Sequence, residues 1–386
     1  MKNIIYIADL TAENARLMPW RVPLEVVKHW PDGDVPEIWS GGNRRVVEKP
    51  IEISGVLIRP IPRIRGDMKG LSQMLRQYGG DILYFPIAFT RCYSNAAAIE
   101  KTMGCRIVWY LPGGWYSFRQ CFSALKYMQV REVMPYLVQA LFPKREFFRS
   151  LRADRLRSLL SFSDYTTRSI SDFYPKQALF TALPGMDKLG QETSNRALTA
   201  KTAEGPYFLF FGPPNAIRGT GILLRAFESV ASNLPDCRLH MCIRADHNAN
   251  VEPLRRRILS SPVAEQIYCR WDSLTKEEIE DELTGCLAVV MPFLIVPAEI
   301  PLAVIESASL GKPVLCSGPD GTGCFASRFG LMSRHGDWRG LAKNMMRIAT
   351  DDALREDLTE RARDAATSLT DWGGCAKIWK RAGEFF

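Results

Sequence analysis

The sequence predicts an α/β protein of two doubly wound, Rossmann-like domains, and three observations predict it. Short apolar segments rich in β-branched and aromatic residues alternate with helix-patterned segments, as they do in a parallel sheet covered by helices on both faces. The alternation occurs twice, on either side of a polar stretch at residues 188–205. At 386 residues the chain is long enough for two separate hydrophobic cores. The expected domains are residues 1–187 and 206–386, joined by a linker at 188–205, with a final helix over about 370–386 as a candidate to cross back to the first domain.

The first alternation runs NIIYIAD (strand), RVPLEVVKHW (helix), GVLIRPI (strand), GLSQMLRQYG (helix), DILYFPIAF (strand), NAAAIEKTMG (helix) and RIVWYLPGG (strand). Residues Phe122 to Leu160 then read as a long helical region broken at Pro143, which has no backbone N–H to donate. There Arg149, Arg152 and Arg155 share a helical side with Phe148, Leu151, Leu156 and Leu159. Such a mixture suits an anionic membrane surface or a lipid diphosphate, and equally suits salt bridges to neighbouring helices. The second alternation supplies the strands YFLFFG, RLHMCIR, EQIYCRW, LAVVMPF and PVLCS.

Composition narrows the class. With 46% hydrophobic and 24% charged residues the chain reads as an ordinary globular protein. Its longest apolar run, Leu287 to Ala298, is too short to cross a bilayer and holds two prolines. MKNIIYIADL is patterned as a buried first strand rather than a signal peptide, so a cytoplasmic location is expected. Ten cysteines without a C-x-x-C pair suggest buried free thiols, and the four histidines show no metal-ligand spacing. Residues 1–185 carry 26 Lys/Arg against 16 Asp/Glu, whereas residues 186–386 carry 24 against 26. A basic first half points to an anionic surface or substrate. Nucleic acid is a weaker fit, because no basic-aromatic recognition motif is present.

One stretch carries most of the functional signal: EIPLAVIESASLGKPVL, residues 299–315. LAVVMPF before it is a buried-strand pattern, and Pro301 suits a first helical position. A helix is therefore expected from near Pro301 to Leu310, with Gly311 in the left-handed position that ends it and PVLCS as the next strand. Glu306 then lies among apolar and small residues, where an ionised carboxylate costs several kcal/mol unless it is partnered. The partner is either a structural arginine or a polar ligand. Glu299 lies seven residues earlier, close to two helical turns, so both carboxylates share one side if the helix extends back, with Glu299 at the mouth of the site.

Taken together, these pieces resemble a known family. YFLFFGPPNAIRGTGILLRAFESV is similar to the opening of the nucleotide-sugar domain of family-4 retaining glycosyltransferases, which have the GT-B fold. DSLTKEEIEDELTGCLAVVMPF resembles that family's approach to its donor loop, and EIPLAVIESASLGKPVL its paired-glutamate motif. SFSDYTTRSISDFYP with LPGMD resembles the last N-terminal strand, helix and linker start. The resemblance is good over about residues 160–345 and architectural before that.

The resemblance implies a sugar transfer from a nucleotide-diphosphate sugar, with no cofactor and no metal. Gly212 and Gly219 would let backbone approach the diphosphate, and Arg218 stands where the family uses a lysine to hold it. Glu306 matches the glutamate on the donor ribose, and Glu299 approximately matches the one facing the transferred sugar. The amides of Ile300 and Leu302 would bind phosphate, and Trp271 and Asp272 follow a strand end where the family reads the base. Arg218 and Glu299 are the catalytic candidates. The acceptor side would use Arg21, Gly113, Gly114 and Trp115, with Trp115 or Trp20 stacking on a sugar ring or belonging to the core.

Three departures weigh against activity. Six residues separate the glutamates where the family usually has seven, Pro213 stands where an arginine is common, and YLPGGWYSFR lacks the usual N-terminal-domain histidine. The preferred reading is a retaining hexosyltransferase that extends a glycan or polyprenyl-diphosphate-linked acceptor in polysaccharide or glycoconjugate biosynthesis, peripheral on the cytoplasmic membrane face. The competing readings are an inactive GT-B protein that binds nucleotide-sugar or partners another transferase, and a different GT-B enzyme such as a nucleotide-sugar epimerase.

Overall fold

Two parallel sheets organise the chain. The computed structural model describes residues 2–41, 49–61, 69–87, 101, 103–111, 113–141, 144–152, 158–186, 205–244, 250–296 and 298–385. The chain divides into two compact units. The first comprises Met1–Trp115, Leu141–Asp187 and Thr370–Phe386, and the second comprises Tyr116–Ala140 and Lys188–Leu369. The polar stretch at 188–205 lies, except for Gly205, outside the described residues, as does Pro143.

The first unit holds β1 (Asn3–Ala8), β2 (Glu37–Gly41), β3 (Ile51–Ile53), β4 (Val56–Pro60), β5 (Ile82–Pro86), β6 (Arg106–Leu111), β7 (Leu159–Ser161) and β8 (Leu179–Thr181). Their order in the sheet is β3-β4-β2-β1-β5-β6-β7-β8. All pairs are parallel except β3 with β4, a hairpin at one edge. The helix Trp372–Gly383 belongs to this unit. Trp379 on it stacks on Tyr84 at 5.5 Å, and its carbonyl accepts from the Tyr84 hydroxyl at 3.0 Å.

Two expectations for this half are corrected. Phe122 to Leu160 is not one helix with a single break. It holds the helices Val130–Leu141 and Lys144–Arg152, the end of the helix Phe118–Ala124, and the start of β7. Leu159 is therefore a fully buried strand residue and not part of an arginine-bearing helical face. Arg149 is exposed and bonded to Glu146 at 3.0 Å, the Arg152 side chain is outside the described set, and Arg155 is outside the described residues. The strands β2 and β3 went unread because EIWSG and IEI are short and half polar, leaving little period-two signal.

The second unit holds β9 (Tyr207–Gly212), β10 (Arg238–Ile243), β11 (Ile267–Arg270), β12 (Ala288–Met291), β13 (Val314–Gly318) and β14 (Gly330–Arg334). The order is β11-β10-β9-β12-β13-β14 and every pair is parallel. The chain moves outward from β9 to β10 and β11, then returns to the other side of β9 with β12. The switch point lies between β9 and β12, and in open α/β sheets ligands bind outside the carboxyl ends of such a pair. Phe208, Phe210, Val290 and Leu315 fill the core below it with no exposed surface. Tyr116, Cys121, Ala124 and Val133 join the same core.

Candidate functional site

At the switch point two loops leave neighbouring strands, and the sequence shapes each of them. After β9 the chain turns at Gly212 (φ +147°), makes a short 3-10 turn over Ala216–Arg218, and enters the helix Thr220–Val230 through Gly219 in the left-handed region (φ +76°). A Cβ built on Gly219 would stand 1.9 Å from the Pro292 carbonyl oxygen, so glycine is required here by conformation and by space alike. No side chain caps this helix. The amides of its first turn consequently have no intrahelical acceptor and carry the positive end of the helix dipole.

The loop after β12 is the apolar run of the sequence, and its described residues form neither a helix nor a longer strand. Phe293, Leu294, Ile295, Val296, Ala298, Glu299 and Ile300 are all buried. Buried irregular backbone must find hydrogen bonds elsewhere, and here side chains provide them. His335 Nδ1 lies 3.0 Å from the Phe293 carbonyl oxygen, Gln120 Nε2 donates to that of Leu294 at 3.2 Å, the Tyr116 hydroxyl to that of Val296 at 2.6 Å, and Thr322 Oγ1 to that of Glu299 at 3.0 Å. The Leu294 and Ile295 amides both reach the Ile217 carbonyl, at 2.9 and 3.3 Å. The two loops are thus one hydrogen-bonded body.

This arrangement places Arg218 and the loop after β12 together. The Arg218 guanidinium lies 4.9 Å from the centre of the Phe293 ring. It is also near Tyr136, whose pKa burial raises and the Arg218 charge partly lowers. The Tyr116 hydroxyl is pushed well above its ordinary range, first by burial and then by the charges of Tyr136, Glu299 and Asp320. Asp320 caps the helix Gly321–Ala326 by accepting from the Gly323 amide at 2.7 Å.

The paired glutamates differ from expectation in one respect. The helix Leu302–Ser309 does not extend back: Pro301 is extended (ψ 142°) and precedes its first turn, without a side-chain cap. Glu299 is therefore placed by the tethered loop and is only 3% exposed, rather than standing at the mouth, while Glu306 is half-buried on the helix. Leu302 begins that helix, so its amide lacks an intrahelical acceptor, and Ile300 lies just before it in the loop. Gly311 takes φ +66° at the helix end.

Trp271 and Asp272 follow β11. Trp271 lies under Arg255 (5.0 Å), and Asp272 is exposed, bonded to Arg270 at 2.9 Å, with its carboxyl held below the ordinary range by that guanidinium. The acceptor candidates lie in the first unit. Arg21 opens the helix Arg21–Lys28, 3.7 Å from Glu25 and 5.6 Å from the Trp372 ring. Gly113 and Gly114 are half-buried in the loop after β6. Trp115 packs between Phe147 and Phe148 at 5.4 and 5.6 Å, and Trp20 donates to the Ala8 carbonyl at 2.9 Å. Both rings thus have structural contacts of their own.

Sequence reasoning missed Tyr116, Gln120, Asp320, Thr322 and His335. Nothing in their spacing marks them, and the available signal was chemical: a long apolar segment interrupted by prolines needs outside donors for its carbonyls. The described cysteines are free, and burial pushes Cys237 and Cys375 up to about 12 and Cys269 to about 11, so these thiols stay protonated at neutral pH. Among the described residues, no cluster of three His, Cys, Asp or Glu side chains is arranged to hold a metal, and no helix is long and apolar enough to cross a membrane.

No family model matches the chain, and no curated protein matches it in sequence. In three dimensions it is similar to a sucrose-phosphate synthase from Thermosynechococcus elongatus, at 12% identity and TM-score 0.70 over 98% of each chain. A glycosyltransferase from Rickettsia africae superposes with TM-score 0.67 at 12% identity, covering 100% of this chain and 98% of that one. HepE from Anabaena, solved with UDP, gives 0.68 at 12% identity over the whole of both chains. With two doubly wound parallel sheets in that order, the fold is GT-B.

Proposed function

We propose that the protein is a glycosyltransferase that moves a sugar from a nucleotide-diphosphate sugar to a glycan or lipid-linked acceptor, with retention at the anomeric carbon. The observation that carries the reading is the joining of two uncapped helix N-termini, at Thr220 and Leu302, to one loop body that also holds Arg218 and Glu299. Two positive dipole ends and a guanidinium fit a diphosphate. HepE was solved with UDP, which makes uridine nucleotides the first donors to try.

In this reading Arg218 and the free amides of the two helices bind the diphosphate and stabilise the charge that grows on it as the sugar leaves, the kind of preorganised electrostatics that dominates many enzymes. Glu306 binds the ribose hydroxyls, Glu299 orients the transferred sugar, and Trp271 stacks on the base. A donor phosphate oxygen takes the acceptor proton on the same face, so the reaction requires no histidine base. The cations and dipoles do the neutralising, without a metal. Arg21, Gly113, Gly114 and Trp115 form the acceptor side.

The lipid-linked class of acceptor and a place on the cytoplasmic membrane face are supported by exposed side chains on the segment 116–140 of the second unit. Phe118, Phe122, Val130 and Met134 are exposed there, among exposed Arg119, Lys126 and Arg131. Aromatic and basic groups mixed in this way suit an anionic bilayer surface.

Release of nucleoside diphosphate from a panel of nucleotide-sugars, with and without polyprenyl-diphosphate-linked glycans, tests the proposal. Pro213 and the absent N-terminal-domain histidine motivate the second reading, an inactive protein that binds nucleotide-sugar. Calorimetric binding of a uridine nucleotide without turnover on any acceptor would favour it, and no binding at all would reject both.

A further inference from the structure

The Asp320 and His335 side chains meet beneath the loop that carries Glu299. His335 Nδ1 lies 3.0 Å from the Phe293 carbonyl oxygen. A carbonyl only accepts, so Nδ1 carries the hydrogen, and in the neutral ring Nε2 is then a lone pair. That lone pair faces Asp320 Oδ2 at 3.5 Å, and both atoms are sealed from solvent. An ionised carboxylate opposite a bare lone pair is repulsive in a buried setting. One proton between them, on Nε2 or on Oδ2, turns the contact attractive.

The pair reaches both ends of the loop. At the near end His335 holds the Phe293 carbonyl. At the far end Asp320 Oδ1 caps the helix Gly321–Ala326, and from that helix Thr322 donates to the Glu299 carbonyl at 3.0 Å. The ties between these, from Gln120 and Tyr116, come from neutral donors. We propose that Asp320 and His335 are positioning residues, a proton-sharing pair that clamps the two ends of the Glu299-bearing loop and lets it loosen when the proton is lost. That this positions Glu299 for the donor sugar rests on the function proposed above.

Among the described residues, no cation besides His335 acts on Asp320. Tyr116, itself within electrostatic reach of Glu299, approaches from the segment before the helix Phe118–Ala124, and Cys316 approaches from β13. On the strand and turn around His335, Arg334 is exposed and Asp337 is engaged in capping the Gly340 amide at 2.9 Å. Burial raises the Asp320 pKa, an effect that His335 and the Gly323 and Thr322 amides partly offset. The linkage has one sign. A proton that the buried Asp320 carboxyl binds more tightly than it does in the unfolded chain stabilises the clamp at lower pH, and the stabilisation is lost as pH rises through the raised titration of Asp320.

Asp320→Asn separates this role from plain structure. Asparagine is as good a helix cap as aspartate, and its amide can donate to a neutral Nε2, so the contact no longer needs a shared proton. Amide hydrogen exchange of residues 292–301, corrected for the intrinsic effect of pH, is followed from about pH 4 to about pH 9, upward from the ordinary carboxyl value in the direction in which burial moves Asp320. In the parent, protection of the loop should fall by about tenfold across this range, as a one-unit change in the proton affinity of the pair allows. In Asp320→Asn it should stay level. His335→Asn, whose amide nitrogen replaces Nδ1 and which lacks Nε2, should also lose the pH response, with weaker protection throughout. Equal pH profiles in parent and variants would overturn the proposal. UDP affinity measured on the same samples separates it from the donor-site reading: a pH-dependent loop without UDP binding supports the clamp and rejects that reading.

Discussion

The Ile217 carbonyl accepts the Leu294 amide at 2.9 Å, joining the loop after β9 to the loop after β12. This bond fixes the residue before Arg218 against the residue after Phe293. Arg218 therefore inherits its place from the loop after β12, and Gly219 fits only because nothing but hydrogen separates it from the Pro292 carbonyl. The first prediction follows from that fit.

Gly219→Ala forces a Cβ into backbone and places alanine at φ +76°. Left-handed backbone costs a non-glycine residue roughly 1–2 kcal/mol before any clash, so a total loss of about 2 kcal/mol or more is expected. Gly221, two residues on, has open space around a built Cβ, and Gly221→Ala should leave stability almost unchanged. Urea unfolding of the pair measures the contrast. Equal midpoints would mean that the loops are not held together as described.

Much of this region was legible and some of it was not, for identifiable reasons. The strands β9, β10, β12 and β13 are short apolar runs with turn residues at their ends, so local pattern alone marks them. The helix after Pro301 and its stop at Gly311 follow from one proline and one glycine. The burial of Glu299 could not be read, because it depends on Tyr116, Gln120, Thr322 and His335, which reach the loop from distant positions in the chain. The assignment of Tyr116–Ala140 to the second unit is equally non-local: Tyr116, Cys121 and Val133 look like any other apolar positions until the core they enter is known.

Arg218→Ala should slow sugar transfer more than it weakens nucleotide binding, since charge on the leaving diphosphate is greatest in the transition state. A loss of at least tenfold in kcat, about 1.4 kcal/mol on the rate scale, is expected with the donor of choice. Steady-state kinetics with nucleotide-sugar and acceptor checks it. A kcat within about threefold of the parent would remove Arg218 from the diphosphate.

Glu306→Gln keeps the shape of the side chain and removes its charge. A carboxylate binding two ribose hydroxyls is worth roughly 1.5–3 kcal/mol more than no partner, so UDP affinity should drop by about tenfold or more, with the thermal midpoint nearly constant. Titration calorimetry and thermal melts on the same preparation separate binding from stability. If the midpoint falls and affinity does not, Glu306 is a structural carboxylate within its helix.

The last prediction concerns the exposed face on the segment 116–140. Phe118 and Phe122 are 43% and 60% exposed and lie one helical turn apart, with ring centres 6.5 Å from each other. Val130 and Met134 repeat the same spacing on the next helix, at 59% and 46%. Exposed Arg119, Lys126 and Arg131 supply the charge, against one exposed carboxylate, Glu132. On an anionic bilayer each basic group contributes about 1 kcal/mol, and the aromatic rings add burial in the interfacial layer. Sedimentation with vesicles containing phosphatidylglycerol should therefore show binding that neutral phosphatidylcholine vesicles do not. Replacing Arg119, Lys126 and Arg131 by Gln should abolish the preference for anionic lipid, while Phe118→Ser with Phe122→Ser should weaken binding to both. The electrostatic share should fade in about 1 M salt, where the Debye length shrinks to ~3 Å, and the aromatic share should persist. Uridine nucleotide affinity should not change in either variant, because all of these side chains are exposed and none is among the donors that tie down the loop after β12. Parent protein that ignores anionic vesicles at low salt would end the membrane reading and leave this face for a protein partner.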